Sequence, residues 1–279
     1  MILLTGATGF VGSIIYRLLK EKSTQKVVAI GRRPAEGITI CDLVSPQDSD
    51  IPWDQIERVI HCAAAIPAVS KVDSFDNVRM TQSLLGQLNP QQLKSFVMIS
   101  SVAVYPLNDG RDELNLAEGC TLPPLDQYGR SKLIQEWLVS NFARDRIPVT
   151  FLRPSSIYGA GNTSRTLLPI FIEKIRANEP VVLKGSRQYV QNFVHVDDVV
   201  HAAVASALGA YSGTFNVFSD ETHSPKELAE CVIRYFDSNS EIIDEQVDTA
   251  YPKLHFDNNR YVRKFERSPL SLEQGLARI

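Results

Sequence analysis

Ile2-Leu3-Leu4-Thr5-Gly6-Ala7-Thr8-Gly9-Phe10-Val11-Gly12 joins a short apolar run to three glycines at three-residue spacing. The run reads as a strand and the glycines as the turn into a helix. A helix N-terminus carries unpaired N–H groups and the positive end of the helix dipole, so it favours a phosphate that can come close to the backbone. Side chains would block that approach. Gly6 suits the tight turn, Gly9 leaves room for the phosphates, and Gly12 lets the helix pack closely on its strand. Thr8, Phe10 and Val11 complete the expected cradle for a nucleotide.

Outward from this loop, Val11, Ile14, Ile15, Leu18 and Leu19 recur at the spacing of one buried helical face. Short β-branched runs at 27–30, 38–41, 59–62, 96–99 and 149–152 then alternate with helical patterns. Phe75, Val78, Leu84, Leu85 and Leu88 mark one helix, and Leu133, Trp137, Leu138 and Phe142 mark another; both faces could also meet a partner subunit. That alternation predicts an α/β fold, a Rossmann-like doubly wound parallel sheet. Beyond Leu152 the rhythm loosens into a helix at 167–175, a strand at Phe193-Val194 and a helix after Asp198. Ser224-Pro225-Lys226-Glu227 reads as a capping box with proline at the first helical position. The expected organisation is a dinucleotide-binding domain over 1–155 and a smaller C-terminal substrate-binding lobe over 156–279, interleaved with late strands of the sheet.

With 279 residues, 44% hydrophobic and 22% charged, the chain can bury a substantial core. A net charge of −3 offers no footprint for a nucleic-acid backbone or an anionic membrane. Cys41, Cys62, Cys120 and Cys231 are far apart, and the five histidines show no ligand spacing, so no metal site is expected. No export signal or run long enough to span a bilayer is evident. These features predict a cytoplasmic protein with reduced thiols.

The residue that ends the second strand of a dinucleotide fold faces the adenosine ribose, where a carboxylate suits the free hydroxyls of NAD. Here Gly31-Arg32-Arg33-Pro34 occupies that place. The guanidinium groups of Arg32 and Arg33 match a 2′-phosphate in charge and geometry, which favours NADP (NADPH) over NAD, unless both arginines are simply solvated. Asp42-Leu43 follows the third strand, where Asp42 could accept the adenine amino group or cap its own loop.

Tyr128-Gly129-Arg130-Ser131-Lys132 puts a phenol and an ammonium four residues apart, on one helical face. A tyrosine is a poor acid–base catalyst near neutrality unless a cation favours its phenolate, and the lysine is placed to do so. Ser100-Ser101-Val102-Ala103-Val104-Tyr105 directly follows the strand at 96–99, at the carboxyl edge of the sheet where open α/β folds bind ligands. With these residues the chain resembles the extended short-chain dehydrogenase/reductase superfamily, in particular the epimerases, dehydratases and 4-keto reductases of nucleotide sugars. The matching segments run in family order over nearly the whole chain. They are the glycine loop, Asp42-Leu43, His61-Cys62-Ala63-Ala64, Asn77-Val78, Ser101, Tyr128 with Lys132, Leu152-Arg153-Pro154, Tyr158-Gly159 and Phe193-Val194-His195-Val196-Asp197-Asp198.

The resemblance implies a catalytic triad in which Ser101 orients the reacting oxygen, Tyr128 transfers the proton, and Lys132 binds the nicotinamide ribose and lowers the tyrosine pKa. It also implies that Ala63 and Ala64 line the cofactor, that Asn77 lies beside the active site, and that the segment from Pro154 meets the carboxamide. His195 is expected to be structural. Related dehydratases carry an acid immediately after the hydroxyl residue, whereas Val102 and Ala103 follow Ser101, so elimination is not expected. Many relatives clamp a diphosphate with an arginine where this chain has Gln191, so either Arg187 or Lys184 substitutes or the substrate is not a nucleoside diphosphate sugar. The leading expectation is an NADPH-dependent reductase acting on a keto group, C4 of a nucleotide sugar, as a homodimer. The alternatives are a nucleotide-sugar 4-epimerase using NAD or NADP, a reductase of a non-nucleotide carbonyl, and a non-catalytic NADP-binding redox sensor.

Overall fold

Four consecutive buried residues, Ile2–Thr5, form the first strand of the computed structural model, which describes residues 1–45, 50–66, 73–120, 123–144 and 146–279. The chain then builds β1 (Ile2–Thr5), α1 (Phe10–Lys22), β2 (Val27–Gly31), β3 (Thr39–Ile40), β4 (Arg58–His61), α2 (Asp76–Gln87), β5 (Ser95–Ile99), β6 (Glu113–Leu116), α3 (Gln127–Ala143) and β7 (Val149–Pro154). It continues through β8 (Ser156–Tyr158), α4 (Leu167–Arg176), β9 (Val181–Leu183), β10 (Gln191–His195), α5 (Val196–Gly209) and β11 (Gly213–Val217). The last elements are β12 (Thr222–His223), α6 (Pro225–Phe236), β13 (Ile242–Asp244), β14 (Lys253–Phe256), α7 (Asn259–Phe265) and α8 (Leu272–Leu276).

Seven strands form one sheet in the order β11-β7-β5-β4-β1-β2-β3, and the pairs from β7 to β3 all run parallel. The chain winds outward in both directions from β1 and β4, so the carboxyl ends of those two strands form the switch point where such sheets take ligands. Every residue of β1, β5 and β7 is buried, as a parallel sheet covered on both faces requires. The strand expected at 38–41 shrinks to the two exposed residues of β3 at the sheet edge, where a short strand offers little for another chain to pair with.

Two helices depart from their apolar pattern. In α1 the fully buried positions are Gly12, Ile15 and Leu19, with Val11, Ile14 and Leu18 only half-buried beside them. In α3 the departure is larger. Leu133 and Trp137, two residues that marked the helix, are exposed, Trp137 to 64%. Its buried side carries Gly129, Ser131, Lys132, Gln135, Glu136, Val139 and Ala143. The polar face lies inward.

The chain divides into two units. The first comprises Met1–Val104, Asp126–Pro154 and Val199–Phe215; its core gathers Leu3, Ile30, Val59, Leu84, Phe96, Met98, Val139 and Phe151. The second comprises Tyr105–Leu125, Ser155–Asp198 and Asn216–Ile279, with a core around Tyr158, Phe171, Ile175, Phe193, Leu228 and Leu272. Tyr105–Leu125 belongs to the second unit because β6 pairs in parallel with β14, and the Tyr105 hydroxyl donates to Asn216 Oδ1 at 2.7 Å. The capping box forms as read: Ser224 Oγ accepts from Glu227 N, the Glu227 carboxylate accepts from Ser224 N at 2.8 Å, and Pro225 opens α6. Among the described residues no helix is long and apolar enough to cross a membrane.

Candidate active site

The loop between β1 and α1 is built around close backbone approaches. Gly6 has φ +68°, and a Cβ there would stand 2.7 Å from the Ala63 amide nitrogen, so the end of β4 can lie directly against the loop only because Gly6 has no side chain. Thr5 Oγ1 holds that amide, accepting from Ala63 N at 3.1 Å. The N-cap of α1 is Gly9, with no side-chain cap and no acidic residue in the first turn. The first-turn amides and the helix dipole therefore have no side-chain anion to satisfy them, and the loop fits the pyrophosphate of a dinucleotide. Thr8, Phe10 and Val11 line the same turn, half-buried.

Around the cradle, Arg33 Nη2 donates to the Thr8 carbonyl at 2.6 Å, and Arg32 is exposed. Asp42 Oδ1 accepts from Val44 N at 3.0 Å, which is the loop-capping role, while Leu43 is buried in the core. Ala63 and Ala64 follow β4, half-buried, and Pro154 ends β7, buried. Asn77 is fully buried, with its polar atoms bonded to Ala65 N, Ala65 O and Ser131 Oγ at 2.7, 3.0 and 3.1 Å. It clamps the segment after β4 to α3.

Tyr128 stands in the first turn of α3, whose N-cap Asp126 accepts from Gly129 N at 2.6 Å. Ser101 stands near enough to its phenol to favour the phenolate, and Ser101 Oγ accepts from Ala103 N at 3.1 Å. One turn along, Lys132 is 2% exposed; its Nζ donates to the Ile99 carbonyl at 3.0 Å and lies 5.9 Å from the centre of the Tyr128 ring. Burial pushes the Tyr128 phenol up to about 12, and Ser101 only opposes this. The phenol is therefore protonated at neutral pH.

Four buried polar side chains near these residues escape a reading that looks for apolar periodicity. His61 Nδ1 lies 2.8 Å from Thr5 Oγ1 and Nε2 lies 3.0 Å from Thr81 Oγ1, while Thr81 Oγ1 donates to the Asn77 carbonyl at 3.0 Å. Those partners fix the tautomer: Thr81 has spent its proton, so His61 carries hydrogen on Nε2 and accepts from Thr5 on Nδ1. Burial pushes His61 down to about 3, which keeps it neutral. Gln135 Nε2 also reaches Thr81 Oγ1, at 2.5 Å. The fourth, Glu136, accepts from Ser100 Oγ at 2.5 Å and takes Arg153 in a two-point ion pair, Nε at 3.0 Å and Nη2 at 2.7 Å. The readable signal was the polar set Lys132, Gln135 and Glu136 at i, i+3 and i+4.

Lys132 weakens the fold that holds it. Burial brings its pKa from the ordinary 10.5 to about 8, so between those values the unfolded chain binds more protons and stability rises with pH. Below pH 8 the full cost, about 3 kcal/mol, is present. Lys132→Met is therefore expected to unfold at higher denaturant near pH 7, by about 1–3 kcal/mol, with the gain fading above pH 8. A gain that is the same at both ends of that range counts against this account.

Arg187 and Gln191 lie in the second unit. Arg187 pairs with Asp244 and Asp248, and Gln191 Nε2 donates to Ser156 Oγ at 2.6 Å. Lys184, 74% exposed, pairs with Glu245 at 3.4 Å. His195 is buried in the same unit, edge-on to Tyr158 at 5.2 Å, with Nδ1 accepting from Asp197 N at 3.2 Å.

Comparison with known proteins places this geometry in a family. A putative UDP-glucose 4-epimerase of Methanocaldococcus jannaschii is 26% identical over all of this chain and 97% of its own. The dTDP-D-glucose 4,6-dehydratase of Dictyostelium discoideum is 25% identical over 83% of this chain. The chain spans 61% of the length of that enzyme and of another curated relative it matches. A solved structure, MoeE5 in complex with UDP-glucose and NAD, superposes with a TM-score of 0.82 at 26% identity, covering 99% of this chain and 96% of that one. Residues 2–217 match the model of the NAD dependent epimerase/dehydratase family. That match takes in the glycine loop, Ser101, Tyr128 and Lys132, and the chain belongs to the NAD-dependent epimerase/dehydratase family.

Proposed function

We propose that this protein is a nucleotide-sugar 4-epimerase that works through a nicotinamide dinucleotide held on the β1–α1 loop. The observation that carries the reading is the meeting of Ser101, Tyr128 and Lys132 on one unit, at the carboxyl edge of the sheet beside that loop. The matches to a putative UDP-glucose 4-epimerase and to MoeE5 with UDP-glucose and NAD support epimerisation over the net reduction expected from the arginine pair.

When bound, the nicotinamide supplies hydride-transfer chemistry and, in its oxidised form, a positive charge. The chain supplies the proton path. Ser101 has one lone pair occupied by Ala103 N, which leaves its hydroxyl hydrogen for the oxygen it faces. For epimerisation Tyr128 takes the proton of the C4 hydroxyl as its phenolate, which a nearby cation favours, and returns that proton to the carbonyl oxygen when the sugar is reduced again; in the reductase reading it only donates. Lys132 carries the buried positive charge nearest that phenol.

NADPH-dependent reduction at C4 is the second reading, and the exposed Arg32 favours it by leaving a guanidinium for a 2′-phosphate. The substrate side is less well matched to a diphosphate, since Arg187, Lys184 and Gln191 are all engaged by neighbours. One assay separates the readings: UDP-glucose with NAD, UDP-glucose with NADP, and a nucleoside-diphosphate 4-keto-6-deoxy sugar with NADPH. Formation of UDP-galactose without net change in cofactor absorbance is expected. Stoichiometric NADPH oxidation supports the reductase, and inertness toward all three removes nucleotide sugars as the substrate.

The same reading includes a homodimer formed through α3, whose Leu133, Ile134 and Trp137 are exposed at 39%, 37% and 64%. Sedimentation equilibrium is expected to give twice the chain mass, falling to one in Trp137→Glu. A monomer in the unsubstituted protein overturns the dimer.

A further inference from the structure

Ser100, Glu136 and Arg153 are 3%, 5% and 7% exposed, and they form a bonded group that the proton path described above does not use. Their places in the chain give them a function. Ser100 immediately precedes Ser101, and its amide is held by the Leu152 carbonyl at 2.7 Å. Glu136 stands one turn after Lys132 and two turns after Tyr128 on α3. Arg153 precedes Pro154 at the end of β7. One carboxylate thus ties together the turn that carries Ser101, the helix that carries Tyr128 and Lys132, and the strand that leads to Pro154.

An ion pair alone would not need the serine. Glu136 Oε2 takes Arg153 Nη2 at 2.7 Å and Oε1 takes Arg153 Nε at 3.0 Å, which already pairs the two charges in a fork. Oε1 nevertheless also accepts the Ser100 hydroxyl at 2.5 Å. That third bond is directed at the backbone next to the hydroxyl that meets the phenol. Within its own turn Ser101 Oγ accepts from Ala103 N, and the Ser100–Glu136 bond adds a direct tie from the adjoining residue to α3.

We infer that Glu136 is a positioning residue which, through Ser100, fixes where the Ser101 hydroxyl meets Tyr128. The inference rests on the proton-transfer roles given to Ser101 and Tyr128, and it is testable without a substrate. A well-placed Ser101 hydroxyl favours the phenolate, so a displaced one makes the phenol harder to ionise.

The experiment is a near-ultraviolet titration of Tyr128 with NAD at saturation, taken as the difference between each protein and the same protein carrying Tyr128→Phe. Ser100→Ala removes the hydroxyl link and leaves the ion pair, and is expected to raise the Tyr128 transition by about half a pH unit or more. Ser100→Thr keeps a hydroxyl and is expected to titrate like the unsubstituted protein. Glu136→Leu with Arg153→Met removes both charges together, so that neither is left buried alone, and is expected to show the same rise as Ser100→Ala. Melting temperatures recorded alongside report the structural contribution. A Tyr128 transition unmoved in both Ser100→Ala and the double variant overturns the inference and leaves Glu136 as the counter-charge of Arg153. Failure of the proton-transfer reading shows elsewhere, as undiminished turnover in Tyr128→Phe.

Discussion

Tyr128→Phe lowers turnover by a factor of about 10²–10⁴ while dinucleotide affinity stays near that of the unsubstituted protein; that is the expected result of removing a positioned proton donor and little else. The substitution keeps the ring, whose centre lies 5.9 Å from Lys132 Nζ, and deletes the phenolic oxygen beside Ser101. No other side chain among the described residues of that turn can take its place: Ser101 is an alcohol of much higher pKa, and Lys132 is held 3.0 Å from the Ile99 carbonyl. The cradle on the β1–α1 loop shares no side chain with Tyr128, so binding and turnover separate. Turnover is read by the formation of UDP-galactose from UDP-glucose, and affinity by calorimetric titration with NAD. Retention of more than about a tenth of the activity removes Tyr128 from the proton path. Loss of NAD binding in parallel with turnover points to a structural role.

The elements whose physics is local were open to reading from the residues alone. A strand buried on both faces is apolar along most of its length, which is why 96–99 and 149–152 stand out. A capping box uses only four neighbouring residues, and Ser224 to Glu227 contains all of them. The glycine loop is legible for the same reason. What stayed hidden depends on partners distant in the chain. In α3 the inward face is polar because His61, Thr81, Ser100 and Arg153 arrive from other elements to satisfy it, and no window of the helix reveals them. Apolar residues then mark the exposed side, Trp137 above all. The assignment of Tyr105–Leu125 to the second unit depends on β6 pairing with β14, more than a hundred residues downstream. Arg187 looked like a free cation in the sequence, but Asp244 and Asp248 come alongside it only when β13 pairs with β9.

Gly12→Ala is expected to cost at least about 100-fold in dinucleotide affinity together with about 1–3 kcal/mol of stability. A Cβ on Gly12 would stand 2.2 Å from the Gly6 carbonyl oxygen, 2.8 Å from the Gly6 carbonyl carbon and 3.1 Å from Ala7 Cα. All three are backbone atoms, so no side-chain rotation relieves the clash. Gly6 cannot retreat either, because it already lies against Ala63 in a left-handed conformation. The first turn of α1 and the loop must therefore move apart, and the amides that would hold the pyrophosphate move with them. Gly86 in α2 is the matched control: a Cβ there meets nothing within 4 Å, so Gly86→Ala is expected to stabilise the protein by about 0.5–1 kcal/mol through helix propensity and leave NAD binding unchanged. Denaturant unfolding and calorimetric NAD titration of the two variants measure both effects. Gly12→Ala binding NAD as tightly as the control would mean that the dinucleotide does not sit on the first turn of α1, and the cofactor site would have to be sought elsewhere on the sheet.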